Sequence, residues 1–288
     1  MKAARMKGGS IFEVAAVFLG SYLVGWLLLD DLVQAEVALL GWSYVSGALL
    51  ILVPVAILLL TGRDFKKYGL TIEGWRQGLG VGMKCYLISF VPLGTMLIMY
   101  RLGYSYTEPV ASAVIAVGEA AAIYIFLRWI GGKPLEEGSP RVDLAVMVGL
   151  LLLPVAAGYL LDKLSLKIVS TVAWQFLFSG FGEEIMYRGY YQSRVNEEFG
   201  RPWTIMGVAF GPGLLMSSAL FALCHALNTF NPFRGRFELA WGWTLFTFFG
   251  GLFFGLIREK TGSMVAPGIA HGLPDAVGEA LAKIFGIW

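Results

Sequence analysis

Nine apolar stretches bounded by charges constrain this chain more than any other feature: about Ile11–Leu29, Val37–Leu60, Gly78–Met99, Val110–Phe126, Leu144–Leu161, Ile168–Tyr187, Thr204–Leu227, Leu239–Ile257 and Met264–Trp288. Each approaches the roughly 20 apolar residues that a helical crossing of a bilayer needs. In lipid every backbone polar group must find its partner inside a helix or a closed barrel. The chain is 57% hydrophobic and only 15% charged, against roughly 25% charged in an ordinary soluble domain. Lipid is therefore its main solvent, and the expected fold is an all-α, polytopic transmembrane helical bundle of eight or nine spans. Eight follows if the last stretch, with Pro267 and Pro274, or the seventh, with Gly211-Pro212-Gly213, is kinked or re-entrant. No repeat, low-complexity tract or Ser/Pro-rich linker divides the chain, so residues 1–288 are expected to form one transmembrane domain.

Charge supplies the orientation. With nine spans and the N-terminus inside, the inner segments hold fifteen basic residues, among them Lys2, Arg5, Lys7, Arg63, Arg76, Arg194 and Arg258. The outer segments hold six: Arg101, Lys163, Lys167, Arg234, Arg236 and Lys283. Lysine and arginine accumulate on the cytoplasmic side of short loops, which favours a cytoplasmic N-terminus. The basic stretch Met1–Gly9 resembles the start of a signal peptide, but the apolar run behind it ends in Asp30-Asp31 without a small-residue cleavage pattern, so it reads as a retained first span. The connection Thr61–Gln77 reads as a solvated loop or a short interfacial helix. A net charge of +2 provides no basic field for nucleic acid. Cys85 and Cys224 lie in apolar stretches, where thiols behave as small hydrophobes. The expected location is an integral, multi-pass membrane protein, in the cell membrane if the source is prokaryotic.

Ionisable groups inside a span cost several kcal/mol unless paired or hydrated, so each is a functional candidate. Glu13 lies near the end of its span, where snorkelling suffices. Lys84 and Glu119 are candidates for a pair that holds the bundle together. The segment from Phe178 to Gly189 is richer, because two adjacent carboxylates sit in an apolar helix. Glu184 and Arg188 are four apart and can pair on one face. Glu183 is turned about 100° away, sharing a face with Ser179 and Tyr187, and its carboxylate is left free to point into the bundle. Gly180 and Gly182 provide a smooth surface for close approach of a helix or a substrate backbone. The chain's two histidines follow in apolar stretches: Phe221 and His225 are four apart, and so are His271 and Asp275.

These residues resemble the CPBP family of intramembrane proteases, also called type II CAAX prenyl endopeptidases or the Abi family. The family pattern of EExxxR, FxxxH and HxxxN or HxxxD is met in order by Glu183-Glu184 with Arg188, Phe221 with His225, and His271 with Asp275. The resemblance covers about Ile168–Val277 and implies a catalytic core at about 168–280. It implies an intramembrane endopeptidase working near the cytoplasmic face on prenylated CAAX-type or other membrane-associated peptides, with lipid and a peptide or lipidated protein as partners. It also implies the roles: Glu183 and His225 hold and deprotonate water, His271 and Asp275 face the carbonyl oxygen, and Glu184 with Arg188 fixes the helix. Pro274 departs from a plain helical motif and is expected to kink the His271–Asp275 relation. An ionised Asp275 would repel an oxyanion, so it serves only if protonated, hydrogen-bonded to His271, or used to orient that histidine. No cofactor is favoured, although one glutamate and two histidines are also a zinc ligand set with an open position. Two functions from other classes use the same residues: a proton- or ion-coupled transporter with Lys84, Glu119 and Glu183 in a relay, and a non-catalytic membrane scaffold.

Overall fold

The computed structural model describes residues 8–287. Lys2, Arg5 and Lys7, which enter the charge count, and Trp288, at the end of the last apolar stretch, lie outside them. Among the described residues the chain forms nine helical rods: α1 Gly9–Leu40, α2 Tyr44–Leu60, α3 Trp75–Arg101, α4 Pro109–Gly131, α5 Pro140–Leu160, α6 at 166–199, α7 Pro212–Ala226, α8 Trp241–Thr261 and α9 Val265–Phe285. Four of them, α1, α3, α4 and α5, are long and apolar enough to cross a membrane.

Local chemistry explains where the rods part from the apolar stretches. Val37–Leu40 belongs to α1, because Gly41 takes the left-handed conformation at φ 85° and ends that helix. Ser43 then caps α2 by accepting from the Ser46 N–H at 3.2 Å. The stretch expected to begin at Thr204 is split. Trp203–Ile205 and Val208–Phe210 form an antiparallel hairpin, β1 and β2, and the turn residues Met206 and Gly207 both have positive φ, at 44° and 84°. The helix starts only at Pro212, whose fixed φ suits a first turn. A Cβ at Gly211 would stand 2.0 Å from the Gly200 carbonyl oxygen, and one at Gly213 2.2 Å from that of Gln192. Gly211-Pro212-Gly213 is thus the close crossing of α7 with the end of α6, and the kink expected inside the seventh span is instead its beginning. Between 61 and 74 the chain makes turns and no interfacial helix.

The largest difference is in α6, which continues to Phe199 where the apolar stretch ends at Tyr187. The residues that broke the apolar pattern, Arg188 and Arg194, are buried. Arg194 donates to Glu13 at 2.8 Å, Tyr190 donates to the same carboxylate at 2.6 Å, and Arg63 pairs with it. Glu13 is therefore the centre of an ion cluster that ties α1 to α6.

Contacts between connections define two ends of the bundle. Residues 8–13, 63–69, 194–201 and 258–264 share one, joined by the Glu13 cluster, by Arg258 donating to the Lys67 carbonyl and by Met264 N–H donating to Gly69. Glu198 accepts from the Gly8 and Ser10 N–H groups there, and these bonds hold its carboxyl down to about 2. A depressed carboxyl contributes fully above its unfolded value and loses that contribution as pH falls through the folded one. The protection factor of the Ser10 amide, its exchange rate relative to that of the unstructured chain at the same pH, is accordingly expected to hold from neutrality down to the usual carboxylate range and to fall as pH drops from there toward 2. Asp30, Gly41–Ser46, Lys163–Trp174, Asn231–Arg236 and Lys283 share the opposite end, through Arg234 and Arg236 on Asp30 and through Lys283 on Thr171.

Candidate active site

α6 is drawn against α9 by two glycines. A Cβ at Gly180 would meet the Gly272 Cα at 2.6 Å and the Gly268 carbonyl oxygen at 2.8 Å, so the two backbones touch. Gly180 thus provides the smooth surface expected of it, facing a helix. The wider turns Gln175–Gly182 and Ile185–Gln192 are π-helical and flank Glu183 and Glu184, a distortion that recurs at functional sites. The close crossing brings His271 against the glutamates.

The two adjacent carboxylates have different surroundings. Glu184 and Arg188 are both completely buried and lie 3.0 Å apart. The same Glu184 oxygen is 3.0 Å from His271 Nδ1. Arg188 also donates to the Gly251 carbonyl at 3.2 Å, and its guanidinium carbon stands 4.3 Å above the Phe221 ring centre. Glu183 is 15% exposed, with one carboxylate oxygen lacking any hydrogen-bond partner. It lines a cavity of about 370 Å³ walled by α1, α2, α6 and α7. One acid is tied down and the other faces open space.

Both imidazoles can be assigned a tautomer from what they touch. A carbonyl oxygen only accepts, so His225 Nδ1, 2.8 Å from the Phe221 carbonyl, carries a proton. An ionised Glu184 likewise accepts from His271 Nδ1. In each ring Nε2 is then the nitrogen left for chemistry. His271 Nε2 lies 3.5 Å from the Ser179 hydroxyl, 3.5 Å from Asp275 and 3.8 Å from Glu183. Ser179 donates to Asp275 at 3.1 Å. Phe254 stacks on the His271 ring, with centroids 4.4 Å apart and planes at 15°, and Phe221 and Trp243 bracket His225.

Of the seven residues singled out in the sequence, Glu183, Glu184, Arg188, His271 and Asp275 form one connected cluster. Phe221 touches it through Arg188, and its ring centre lies 4.6 Å from that of His225 and 5.7 Å from that of His271, with the planes at 65° and 82°. His225 makes no direct ion contact with Glu183 among the described residues; Glu183's histidine neighbour is His271. α9 runs unbroken through Pro274, so the expected disturbance of the His271–Asp275 relation does not arise. No ion pair joins Lys84 to Glu119 among the described residues, which removes the bundle-holding pair expected of them. Ser179 was legible only as a neighbour of Glu183 one turn away, and nothing in the aromatic run around Phe254 marked it as the residue stacked on a site histidine.

The cavity runs from Glu183 toward Asp30, Asn231 and Arg236, at the end that holds the fewer basic residues. Glu183 lies midway along α6 and not at its end, because the charges that seemed to end the span are buried. No group of three or more His, Cys, Asp or Glu side chains is arranged to hold a metal ion among the described residues.

A polar cluster of one glutamate at a cavity, one glutamate in an ion pair and two imidazoles, set inside a bundle of apolar helices, is a candidate functional site. Residues 165–277, a stretch that contains all seven motif residues, match the family model described as type II CAAX prenyl endopeptidase Rce1-like, in line with the resemblance to the CPBP/CAAX proteases. No curated protein and no solved structure matches the chain.

Proposed function

We propose that this protein is a multi-pass intramembrane endopeptidase that hydrolyses a peptide bond with water activated by Glu183, without a metal, on prenylated CAAX-type or other membrane-associated peptides. The observation that carries this reading is Glu183, whose side chain lines a cavity and has a carboxylate oxygen without a hydrogen-bond partner 3.8 Å from His271 Nε2, while its neighbour Glu184 is paired with Arg188 and His271. Glu183 takes a proton from water held between it and the free Nε2 of His225, and returns that proton to the leaving amine. His271 Nε2, carrying a proton in this step, donates to the carbonyl oxygen as charge develops. Asp275, tethered by Ser179, keeps the imidazole aimed. Arg188 and Glu184 hold the imidazole from behind through Nδ1, the part that orienting groups play for catalytic histidines elsewhere. The matched family's name supports a prenylated peptide as the first substrate to try.

The test compares wild type with Glu183→Gln in lipid nanodiscs, using quenched fluorescent prenylated and unprenylated membrane-tethered peptides. Cleavage is expected to fall by about a hundredfold or more, with an unchanged melting temperature. Undiminished cleavage by a folded Glu183→Gln protein would overturn the mechanism. Stoichiometric zinc in the purified protein, with activity lost on chelation, would overturn its metal-free form.

A further inference from the structure

One wall of the cavity belongs to α1, which lies outside the matched stretch, and α1 brings a phenol to it. Tyr22 lines the cavity together with Glu183. Its hydroxyl donates to the Cys224 carbonyl, the residue before His225, at 3.2 Å. That is long for an O–H···O bond, whose usual separation is about 2.7–2.8 Å, so the phenol gives up little in exchanging this acceptor for a better one. The ring itself is fixed, with Phe18 and Trp26 centroids 5.0 and 5.2 Å away. Ser179 donates to Asp275 and His225 Nδ1 to Phe221, and Arg188, paired with Glu184 and bonded to Gly251, does not line the cavity, so His271 Nε2 is the donor that Tyr22 would join. Tyr187 and Tyr191, also on the cavity wall, are buried. A carbonyl attacked by water at Glu183 needs donors on the side where its oxygen becomes negative, and Tyr22 is a preorganised one with a weak present partner.

We propose that Tyr22, on the first helix and outside the stretch that matches the family, is a catalytic residue of this site, its O–H donating to the substrate carbonyl oxygen as negative charge develops there. The inference rests on the peptidase reading above. It also means that the matched stretch does not hold the whole site: α1 completes it.

The experiment is Tyr22→Phe, which keeps the ring and its packing and removes only the O–H. In the same nanodisc assay with the best-cleaved membrane-tethered peptide, kcat is expected to fall about a hundredfold, as for loss of one oxyanion donor. KM and melting temperature should stay within about twofold and a few degrees of wild type, respectively. A kcat within twofold of wild type would overturn the role of Tyr22, and so would a loss confined to KM or accompanied by a large drop in melting temperature. Glu183→Gln, run in parallel, separates the two ideas. If it is inactive while Tyr22→Phe is fully active, only the tyrosine inference fails; if it retains activity, the peptidase mechanism fails first.

Discussion

Arg188→Met is expected to destabilise the protein by about 3–5 kcal/mol, the cost of stranding one member of a buried ion pair. Glu184 has no exposed surface, and the charges facing it are Arg188 and, when protonated, His271. Methionine fills much of the arginine's volume but leaves the carboxylate uncompensated. It also removes the donor to the Gly251 carbonyl and the cation above Phe221. The measurement is reversible unfolding in mixed detergent micelles, with the double variant Glu184→Gln, Arg188→Met as control. Because the penalty is that of an unpaired charge rather than of lost packing, the double variant should recover a large part of the stability. A single variant as stable as wild type would show that Glu184 is not held as an ion in the folded state. The double variant should still cleave poorly, since His271 Nδ1 loses the carboxylate that orients it.

The second large effect is expected at Gly272→Ala. The added Cβ would lie 2.8 Å from the Gly180 Cα, 2.8 Å from the Phe176 carbonyl oxygen and 3.1 Å from the Phe176 Cα. All three are backbone atoms, so no side chain can rotate away and the helices themselves must separate. Overpacking of this kind costs about 1–3 kcal/mol. The activity loss should be out of proportion to it, because His271 is the residue immediately before the contact. Displacing that imidazole by about 1 Å relative to Glu183 is enough for a hundredfold fall in turnover. Kinetics on protein that still binds substrate would check this, and turnover close to wild type would mean that α6 and α9 can part without moving the site.

Much of this site could be read from residue spacing, for physical reasons that differ from motif to motif. The Glu184–Arg188 pair is local to one helix, so an interval of four predicted it directly. Gly180 was legible as a place of close approach because a missing side chain has few other uses in an apolar helix, but its partner Gly272 could not be named from spacing, since crossings between distant helices leave no periodic trace. The end of α6 was misread for the opposite reason. Arg188 and Arg194 look like the water-facing boundary of a span, yet both are buried against glutamates, one of them Glu13 from more than 170 positions away. Hydropathy counts charges singly and cannot see that they cancel. The same blindness put Glu183 at the edge of the bundle instead of halfway along a rod. Tyr22 is in the same position: an aromatic on the first span carries no mark until the fold sets its hydroxyl on the Cys224 carbonyl, in the cavity that Glu183 lines.

Phe221 shows how tightly these pieces are bound to one another. A single benzene ring carries the guanidinium on its face and meets both imidazoles at steep angles, so all three signature segments are referenced to one rigid plate. Variation at any segment must respect the other two, and a lineage that lost the ring would lose the common datum against which its acid, base and cation are set.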